Sequence, residues 1–184
     1  MNTGQMTMTI LAMFLLSMTI LNVNRGLLST TNVMVSSRYN VMAISVGTSI
    51  MEDALSLRFD EVTAAGGAIT DSTKCVASSA LGLDAGESAS NPAAFDDFDD
   101  YNCYRTTPKL DTIKVEGVTG KMVIFKTLCK VDYVTSTNPD VVSTTQTWHK
   151  RMRLFVYSTD LSDPYTGKTD TVKLSTVYSY WYFP

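Results

Sequence analysis

The stretch that most constrains the fold is TILAMFLLSMTILNV, at residues 9–23, which is almost wholly apolar. It belongs to a longer segment, residues 1–24, in which no side chain is charged. As a helix, this segment reaches roughly 35 Å at about 1.5 Å per residue, and the hydrocarbon core of a bilayer is about 30 Å thick. The sequence therefore predicts an apolar helix over residues 1–24 that buries its surface in a membrane or against copies of itself.

A second apolar pattern follows directly and predicts that the same helix continues. Its members recur at the three- and four-residue steps of one helix face: Leu28, Val35, Tyr39, Met42, Val46, Ile50, Ala54 and Leu57. Pro92 is the first proline of the chain, and the first strong stop signal is the pair Gly66 and Gly67. We therefore expect one helix of about 55 residues, in which residues 25–58 form a one-sided, amphipathic continuation.

Beyond residue 109 the pattern changes to β-branched and aromatic residues that alternate with polar ones, as is typical of strands. Four strands are predicted, at residues 110–116, 121–134, 142–158 and 171–183. Short connections containing Gly, Pro and Asn separate them, so an antiparallel meander is expected. One face of this sheet is apolar and needs a cover, for which the second half of the helix is available. The predicted fold is α+β, with a long N-terminal helix packed on a four-stranded antiparallel sheet.

Alternation along the second and third strands assigns these residues to the apolar face: Val123, Phe125, Cys129, Val131, Tyr133, Trp148, Met152, Leu154 and Val156. His149 lies beside Lys150 and Arg151, and these cationic neighbours indicate a solvated face. The last strand ends in an aromatic cluster formed by Tyr178, Tyr180, Trp181, Tyr182 and Phe183. Core and edge packing is the favoured interpretation of the cluster, since strands select aromatic residues, and a ligand or adhesion surface is the alternative.

The helix and the sheet domain, residues 110–184, are separated by an irregular acidic loop region at residues 59–109. The whole chain has a formal net charge of -3, which provides no basic surface for nucleic acid. It also lacks a phosphate loop, an HExxH motif and a nucleophile elbow. His149 is the only histidine and has no catalytic pattern of Ser, Asp or Cys around it. We therefore expect no catalytic residues and no enzyme activity.

Oxygen donors are concentrated in one part of the loop region: Asp96, Asp97, Asp99, Asp100 and Asn102. Hard oxygen ligands on irregular backbone are what Ca²⁺ requires, so this is a possible calcium site. The spacing is not that of an EF-hand, and a solvated turn or helix cap is the alternative. Asp84 and Glu87 are further acidic residues able to complete such a site. No other cofactor is predicted.

The chain has three cysteines, Cys75, Cys103 and Cys129, without the spacing of a zinc or thioredoxin-like site. In an exported protein they permit one disulfide. The preferred pair is Cys75 with Cys103, because both lie in the irregular region that most needs a covalent link. Pairing of Cys103 with Cys129 is the rival. Cys129 is otherwise expected to act as a small buried hydrophobe on its strand.

The order of these elements resembles the type IV pilins and the pseudopilins of type II secretion. An uncharged helix, an amphipathic continuation, a variable loop and an antiparallel sheet follow one another over nearly the whole chain. The resemblance implies that the N-terminal helix packs in a filament core. Residues of that helix that would lie in the core are Gln5, Thr9, Phe14, Leu15 and Leu21.

Members of these families carry a short basic leader that ends in Gly, and Glu is the fifth residue of the mature chain. Processing after Gly4 would make Thr9 the fifth residue here, whereas a mature start at Met1 would make it Gln5. Neither register supplies the carboxylate that is thought to pair with a neighbour's N-terminal amine. Gln5 is able to form a hydrogen bond to that amine but not to neutralise it.

The resemblance implies a structural subunit of an extracellular type IV pilus-like filament, with adhesion or motility as its role. Its partners would be copies of itself, the inner membrane before assembly, and the pilus or secretion assembly machinery. The expected location is the cell surface after anchoring in the inner membrane. Two alternatives stay open: a pseudopilin of a type II secretion apparatus, and a singly membrane-anchored extracytoplasmic binding module.

Overall fold

The structure, a computed structural model, describes residues 3–89, 91–105, 112–116, 122–162 and 169–181. Its first element is a single helix, α1 (Thr3–Ser56), and a short helix, α2 (Glu61–Ala64), follows. The strands come after the loop region: β1 (Thr112–Glu116), β2 (Met122–Tyr133), β3 (His149–Ser162) and β4 (Thr169–Ser179). The α+β class, the long N-terminal helix and the antiparallel sheet are confirmed.

The sheet follows the order of the chain, β1-β2-β3-β4, and each neighbouring pair is antiparallel. Three long strands form its body, and the short β1 pairs with β2 at one edge. Leu154 of β3 lies opposite Cys129 of β2 and Leu174 of β4. The alternation predicted for β2 and β3 is confirmed, because side chains such as Phe125 and Val156 are completely buried on the inner face.

The second half of α1 covers this inner face, as predicted. The residues that it buries are spaced three or four apart, at the helical repeat: Tyr39, Ala43, Gly47, Met51 and Ala54. At position 47 the helix approaches β3 and β4 so closely that a Cβ atom would lie 3.2 Å from Val156 Cγ2 and would overlap Leu174. Gly47 therefore permits the helix to pack against the sheet at this distance.

The first half of α1 packs against no other element in the described part of the chain. Its large apolar side chains are exposed, for example Phe14 at 67% and Leu15 at 58%. By length and composition α1 is able to cross a membrane, and no residue of its most apolar window is buried. Leu28, predicted to belong to the packed face, is instead 64% exposed, and packing begins at Val35.

Strand boundaries differ most from prediction at β3, which begins at His149 and not at residue 142. Between β2 and β3 the hydroxyl groups bond to nearby backbone and so compete with strand pairing. Ser143 Oγ donates to the Thr145 carbonyl at 2.8 Å, and Thr147 Oγ1 donates to the His149 carbonyl at 3.0 Å. Predicted strand residues 110, 111, 121, 182 and 183 lie outside the described residues.

Candidate functional site

The sheet contains a buried lysine at the place where the chain leaves α1. Lys150 lies on the inner face of β3, and its side chain is 0% exposed. Its ammonium group donates to the Phe59 carbonyl at 2.7 Å and to Asp60 Oδ2 at 2.8 Å, and it also pairs with Asp99. The prediction of a solvated face is wrong for Lys150. Lys150 is two residues from Met152, so strand alternation places both on the same face, and this was the sequence signal for the inner face.

We call the buried set Lys150, Asp60 and Asp99 the ionic centre. Asp60 is its second member and also caps α2. Its side chain accepts hydrogen bonds from the backbone N–H groups of Val62 at 3.3 Å and Val76 at 3.1 Å. The Tyr133 hydroxyl lies within hydrogen-bond distance of Asp60 Oδ2, at 3.3 Å. Burial lowers the pKa of Lys150, but Asp99 and Asp60 outweigh that effect and hold it above its ordinary value. The ammonium group is therefore charged and fully partnered.

The acidic stretch that follows Phe95 folds around its own carboxylates. Asp97 Oδ1 accepts from the backbone N–H groups of Asp99 at 2.8 Å and Asp100 at 3.2 Å. Asp100 Oδ2 accepts from the N–H groups of Asp96 and Asp97, both at 3.0 Å. The stretch is also joined to the end of α1, since the backbone N–H of Arg58 donates to the Asp96 carbonyl at 3.2 Å. The position of this loop is thus fixed by backbone groups.

One oxygen of each of these two carboxylates remains available. Asp97 Oδ2 and Asp100 Oδ1 are buried and have no hydrogen-bond partner among the described residues. Further carboxylates converge with them in two groups, Glu61 with Asp84 and Asp97, and Asp84 with Glu87 and Asp100. Within each group the ligand oxygens lie within 4.8 Å of one another. We call the set Glu61, Asp84, Glu87, Asp97 and Asp100 the acidic cluster.

A tight turn brings Asp84 and Glu87 to the acidic cluster. Asp84 donates its N–H to Glu87 Oε2 at 3.0 Å, and Glu87 donates its N–H to the Asp84 carbonyl at 3.3 Å. Gly86 within the turn has φ 109°, which side-chain-bearing residues rarely adopt. The turn therefore directs two carboxylates toward the same region.

Burial and crowding of like charge raise the pKa of four carboxyl groups in the acidic cluster. Burial, followed by the charge of Asp99, raises the pKa of Asp97 to about 9. Burial, followed by the neighbouring Glu87 side chain, raises the pKa of Asp100 to about 7. The pKa values of Glu61 and Asp84 are raised as well, mainly by burial and then by neighbouring carboxylates. Such an arrangement favours protons or a multivalent cation.

The five predicted oxygen ligands do not act together. Asp97 and Asp100 belong to the acidic cluster, whereas Asp99 pairs with Lys150. The Asn102 amide donates to the Leu81 carbonyl at 2.9 Å and accepts from the Val131 N–H at 3.0 Å, and the Asp96 side chain is exposed. The structure does bring in Asp84 and Glu87, the residues named as able to complete a site. Glu61 was missed, although its place beside the helix cap Asp60 was a usable signal.

The residues predicted for a filament core lie far from this ionic region, on the exposed half of α1. Gln5, Thr9, Phe14, Leu15 and Leu21 are all exposed. The Thr9 hydroxyl donates to the Met6 carbonyl at 2.9 Å, so it is satisfied within the helix. The exposed half thus offers a mostly apolar surface, interrupted by polar residues such as Asn22 and Asn24 and by Arg25.

Cys75 is buried beside Asp60, and in the reduced chain burial followed by the charge of Asp60 raises the pKa of its thiol to about 11. Cys129 is 1% exposed on the inner face of β2, where it was expected. The side chain of Cys103 lies outside the described residues. Its pairing with Cys75 or with Cys129 stays a prediction.

The C-terminal aromatic residues divide between packing and exposure. Tyr178 packs edge-on against Phe59, with ring centroids 5.6 Å apart, and against Phe98 at 5.3 Å. Tyr180 stacks on Trp148 at 5.7 Å. An open cleft of about 420 Å³ is lined by Trp148, His149, Tyr180 and Trp181, the last of which is 74% exposed. Packing accounts for Tyr178, and among the described members of the cluster Trp181 is the most exposed.

Comparison with known proteins adds no relative: no family model, no curated protein and no solved structure matches this chain. The long N-terminal helix and the small antiparallel sheet are compatible with a pilin-like architecture. A statement about function therefore depends on the geometry and chemistry of the described residues.

Proposed function

We propose that the chain is the structural subunit of a type IV pilus-like filament and that it polymerises through the first half of α1. One observation carries the proposal: a single continuous helix is packed on the sheet in its second half and exposes apolar side chains along its first half. An amphipathic segment that cannot bury its apolar surface inside its own domain needs an external partner. In this proposal the partner is the membrane first and neighbouring subunits later.

The length of the exposed surface favours neighbouring helices over a bilayer alone. Large apolar side chains are exposed from Met6 to Met34, which is about 42 Å along a helix. The hydrocarbon core of a membrane accommodates only about 30 Å. A simple anchor would therefore leave residues such as Leu28, 64% exposed, and Val33, 50% exposed, in water. The equivalent helices of other subunits are able to cover them.

The threonine hydroxyls of this half are compatible with an apolar filament core. The hydroxyl groups of its threonines donate to carbonyls three or four residues earlier, at 2.8 to 3.0 Å, in Thr7, Thr9, Thr19, Thr30 and Thr31. Each of these hydroxyls therefore needs no water molecule, which removes most of the desolvation cost of packing helix against helix. Small hydroxyl residues also permit the close approach of helices in apolar surroundings.

The proposal gives the two ends of the chain different tasks. Subunits are held in the inner membrane by α1 before assembly machinery transfers them into a cell-surface fibre. The sheet domain then forms the outer layer of the fibre, with the loop region exposed for adhesion or motility. Because no carboxylate stands at Gln5 or Thr9, assembly rests on apolar packing and amide hydrogen bonds. The proposal includes no catalytic role.

The test compares one charge at two positions of α1. Leu28→Glu adds a carboxylate to the exposed apolar surface beyond the uncharged segment, and Thr48→Glu adds it to an exposed polar position of the packed half. Full-length chains would be purified in detergent, transferred to detergent-free buffer, and assessed by sedimentation and electron microscopy. We expect fibres from the unmodified chain and from Thr48→Glu, and a loss of at least about tenfold in sedimentable fibre from Leu28→Glu.

The outcomes separate this function from its alternatives. A monomer in every preparation, with Leu28→Glu unchanged in membrane binding, indicates a singly anchored module and overturns the proposal. Short assemblies together with a secretion defect in a deletion strain indicate a pseudopilus. Antibodies against the sheet domain should decorate fibres along their whole length if the sheet domain forms the outer layer.

A further inference from the structure

We propose that the acidic cluster is a calcium-binding site that joins α2, the turn at residues 84–87 and the loop at residues 97–100. The cluster brings together carboxylates that lie up to 39 positions apart, between Glu61 and Asp100. Among the described side chains, no Lys or Arg forms an ion pair with any of them, since Lys150 pairs with Asp60 and Asp99. The protein therefore concentrates negative charge there, and no described basic side chain is paired directly with it.

Two buried oxygens give an independent indication of a ligand. Asp97 and Asp100 are both 0% exposed, and each uses one carboxylate oxygen to hold loop N–H groups. Their other oxygens, Asp97 Oδ2 and Asp100 Oδ1, have no hydrogen-bond partner in the described part of the chain. A buried acceptor without a partner is costly, and buried polar groups are normally satisfied by protein, water or an ion. Here both acceptors belong to residues of the acidic cluster.

The chemistry of the ligands favours Ca²⁺ over other cations, and the geometry is compatible with it. Two oxygens bound to one Ca²⁺ at about 2.4 Å lie at most about 4.8 Å apart. The oxygens within each carboxylate group already satisfy this limit. Carboxylates alone do not suit Zn²⁺, which usually takes nitrogen or sulfur ligands, and Mg²⁺ is rarely held by a cage of protein carboxylates. Glu61, Asp84 and Glu87 are only half-buried, which leaves an approach for the ion.

Asp84 has a central place because it belongs to both carboxylate groups. Without a cation, the carboxyl groups of the cluster either take up protons or repel one another, and the repulsion opposes the closure of the loop region on the end of α1. A bound cation replaces that repulsion by attraction between all three segments. The site does not depend on filament formation, because all its ligands lie outside α1 and a purified monomer is sufficient to test it.

The test uses the full-length chain in detergent after treatment with EDTA. Calcium chloride is added, and binding is followed by titration calorimetry and by thermal unfolding. At a concentration about one hundred times the Kd, we expect the Tm to rise by about 5–10 °C. Magnesium chloride at the same concentration should produce less than half of that rise. No heat and no change in Tm up to about 10 mM calcium, well above the range of weak extracellular calcium modules, would overturn the proposal.

Asp84→Asn tests the assignment of the ligands, because it removes one charge from both groups with little change in shape. We expect calcium affinity to fall at least about tenfold. In EDTA the variant should unfold at a higher temperature than the unmodified chain, since repulsion is relieved, whereas in calcium the order reverses. Such a reversal is not expected from a residue with only a packing role.

Asp96→Asn is the matched control, because it makes the same change at an exposed neighbour that belongs to neither group. Its calcium affinity should stay within about threefold of that of the unmodified chain, since exposed charges are screened. If Asp84→Asn binds calcium as well as the unmodified chain does, the ligand assignment is wrong. Should Asp84→Asn fail to fold, Glu87→Gln provides the same comparison and keeps an acceptor for the Asp84 N–H.

Discussion

The first half of α1 and the region around Lys150 distribute their side chains in opposite ways. In the helix, Phe14 is 67% exposed although it is strongly apolar, whereas Lys150 and Asp60 are completely buried although they are charged. The buried charges have partners within the chain, and the exposed apolar groups have none in its described part. Residue type alone therefore does not decide burial. The difference also shows that the ionic centre is complete by itself and that the helix is not.

The largest effect is expected from a substitution that leaves the buried carboxylates of the ionic centre without a counter-charge. Lys150→Met removes the counter-charge of Asp60 and Asp99, which remain buried, so we expect a loss of about 3–5 kcal/mol in the free energy of unfolding. Lys130→Met is the control, because the partly exposed Lys130 pairs with Asp132 at 3.2 Å and should contribute only about 0–1 kcal/mol. Urea unfolding followed by tryptophan fluorescence measures both. Equal losses in the two variants would show that Lys150 is not the centre of a buried ion pair.

A charge placed in each half of α1 tests whether the halves have different partners. Leu15→Lys should weaken insertion of the helix into an apolar environment by about 2.5–3.5 kcal/mol. It should leave the unfolding free energy of the sheet domain within about 0.5 kcal/mol, since Leu15 is exposed. Met51→Lys should do the reverse, because Met51 is 9% exposed against the sheet. Flotation with vesicles measures insertion of the helix, and thermal unfolding measures the stability of the sheet domain. If both variants changed the same property, the assignment of different partners to the two halves of α1 would be contradicted.

Two glycines make the same comparison with the smallest side chain. A Cβ atom at Gly26 would meet nothing within 4 Å, and we expect Gly26→Ala to stabilise the helix by about 1 kcal/mol. At Gly47 the added methyl group overlaps Leu174, so overpacking of about 1–3 kcal/mol opposes the same gain, and Gly47→Ala should be less stable than Gly26→Ala by about that amount. Thermal unfolding in detergent is the measurement. A stabilised Gly47→Ala would mean that helix and sheet are not in close contact.

The smallest effect comes from burial of the Cys75 thiol beside the ionic centre, and it appears only at alkaline pH. Burial, followed by the charge of Asp60, raises the pKa of the Cys75 thiol to about 11 from an ordinary value of 9.0. Between these values the folded chain keeps a proton that the unfolded chain loses, so stability falls as the pH rises from about 9 to about 11. The loss at pH 10 should be about 1 kcal/mol. Subtracting the curve of Cys75→Ala isolates the thiol from Tyr133 and Lys150, and parallel curves would refute its burial.

Periodic parts of the fold were predictable from the sequence. The uncharged residues 1–24 and the absence of proline before Pro92 indicated one long helix, and the structure places it at Thr3–Ser56. The inner face of β2 followed from strict alternation. Alternation also placed Lys150 on the inner face. A charged residue in such a position is nevertheless assigned to the solvated face unless its partners are known. Asp60 and Asp99 lie 90 and 51 positions away, and no local pattern connects them to Lys150.

The candidate cation site was only half predictable, for a different reason. Local density pointed to Asp97 and Asp100, and it could not separate them from Asp99, which serves Lys150 instead. Glu61 comes from the one-turn helix α2, and Asp84 and Glu87 come from a tight turn, so no sequence repeat connects them to the acidic stretch. Likewise, the start of β3 was placed too early because Ser143 and Thr147 resemble strand residues but bond to nearby backbone.

The bonds at the exit of α1 have a mechanical consequence. Lys150 of β3 donates to the Phe59 carbonyl, the Tyr178 hydroxyl donates to the Leu57 carbonyl at 3.2 Å, and Arg58 pairs with the loop through its backbone. A pulling force along the helix would therefore reach the interior strand of the sheet and the last strand together. These bonds would share the load across the strands. The sheet domain would then separate from α1 only if several of them broke together, and not one contact at a time.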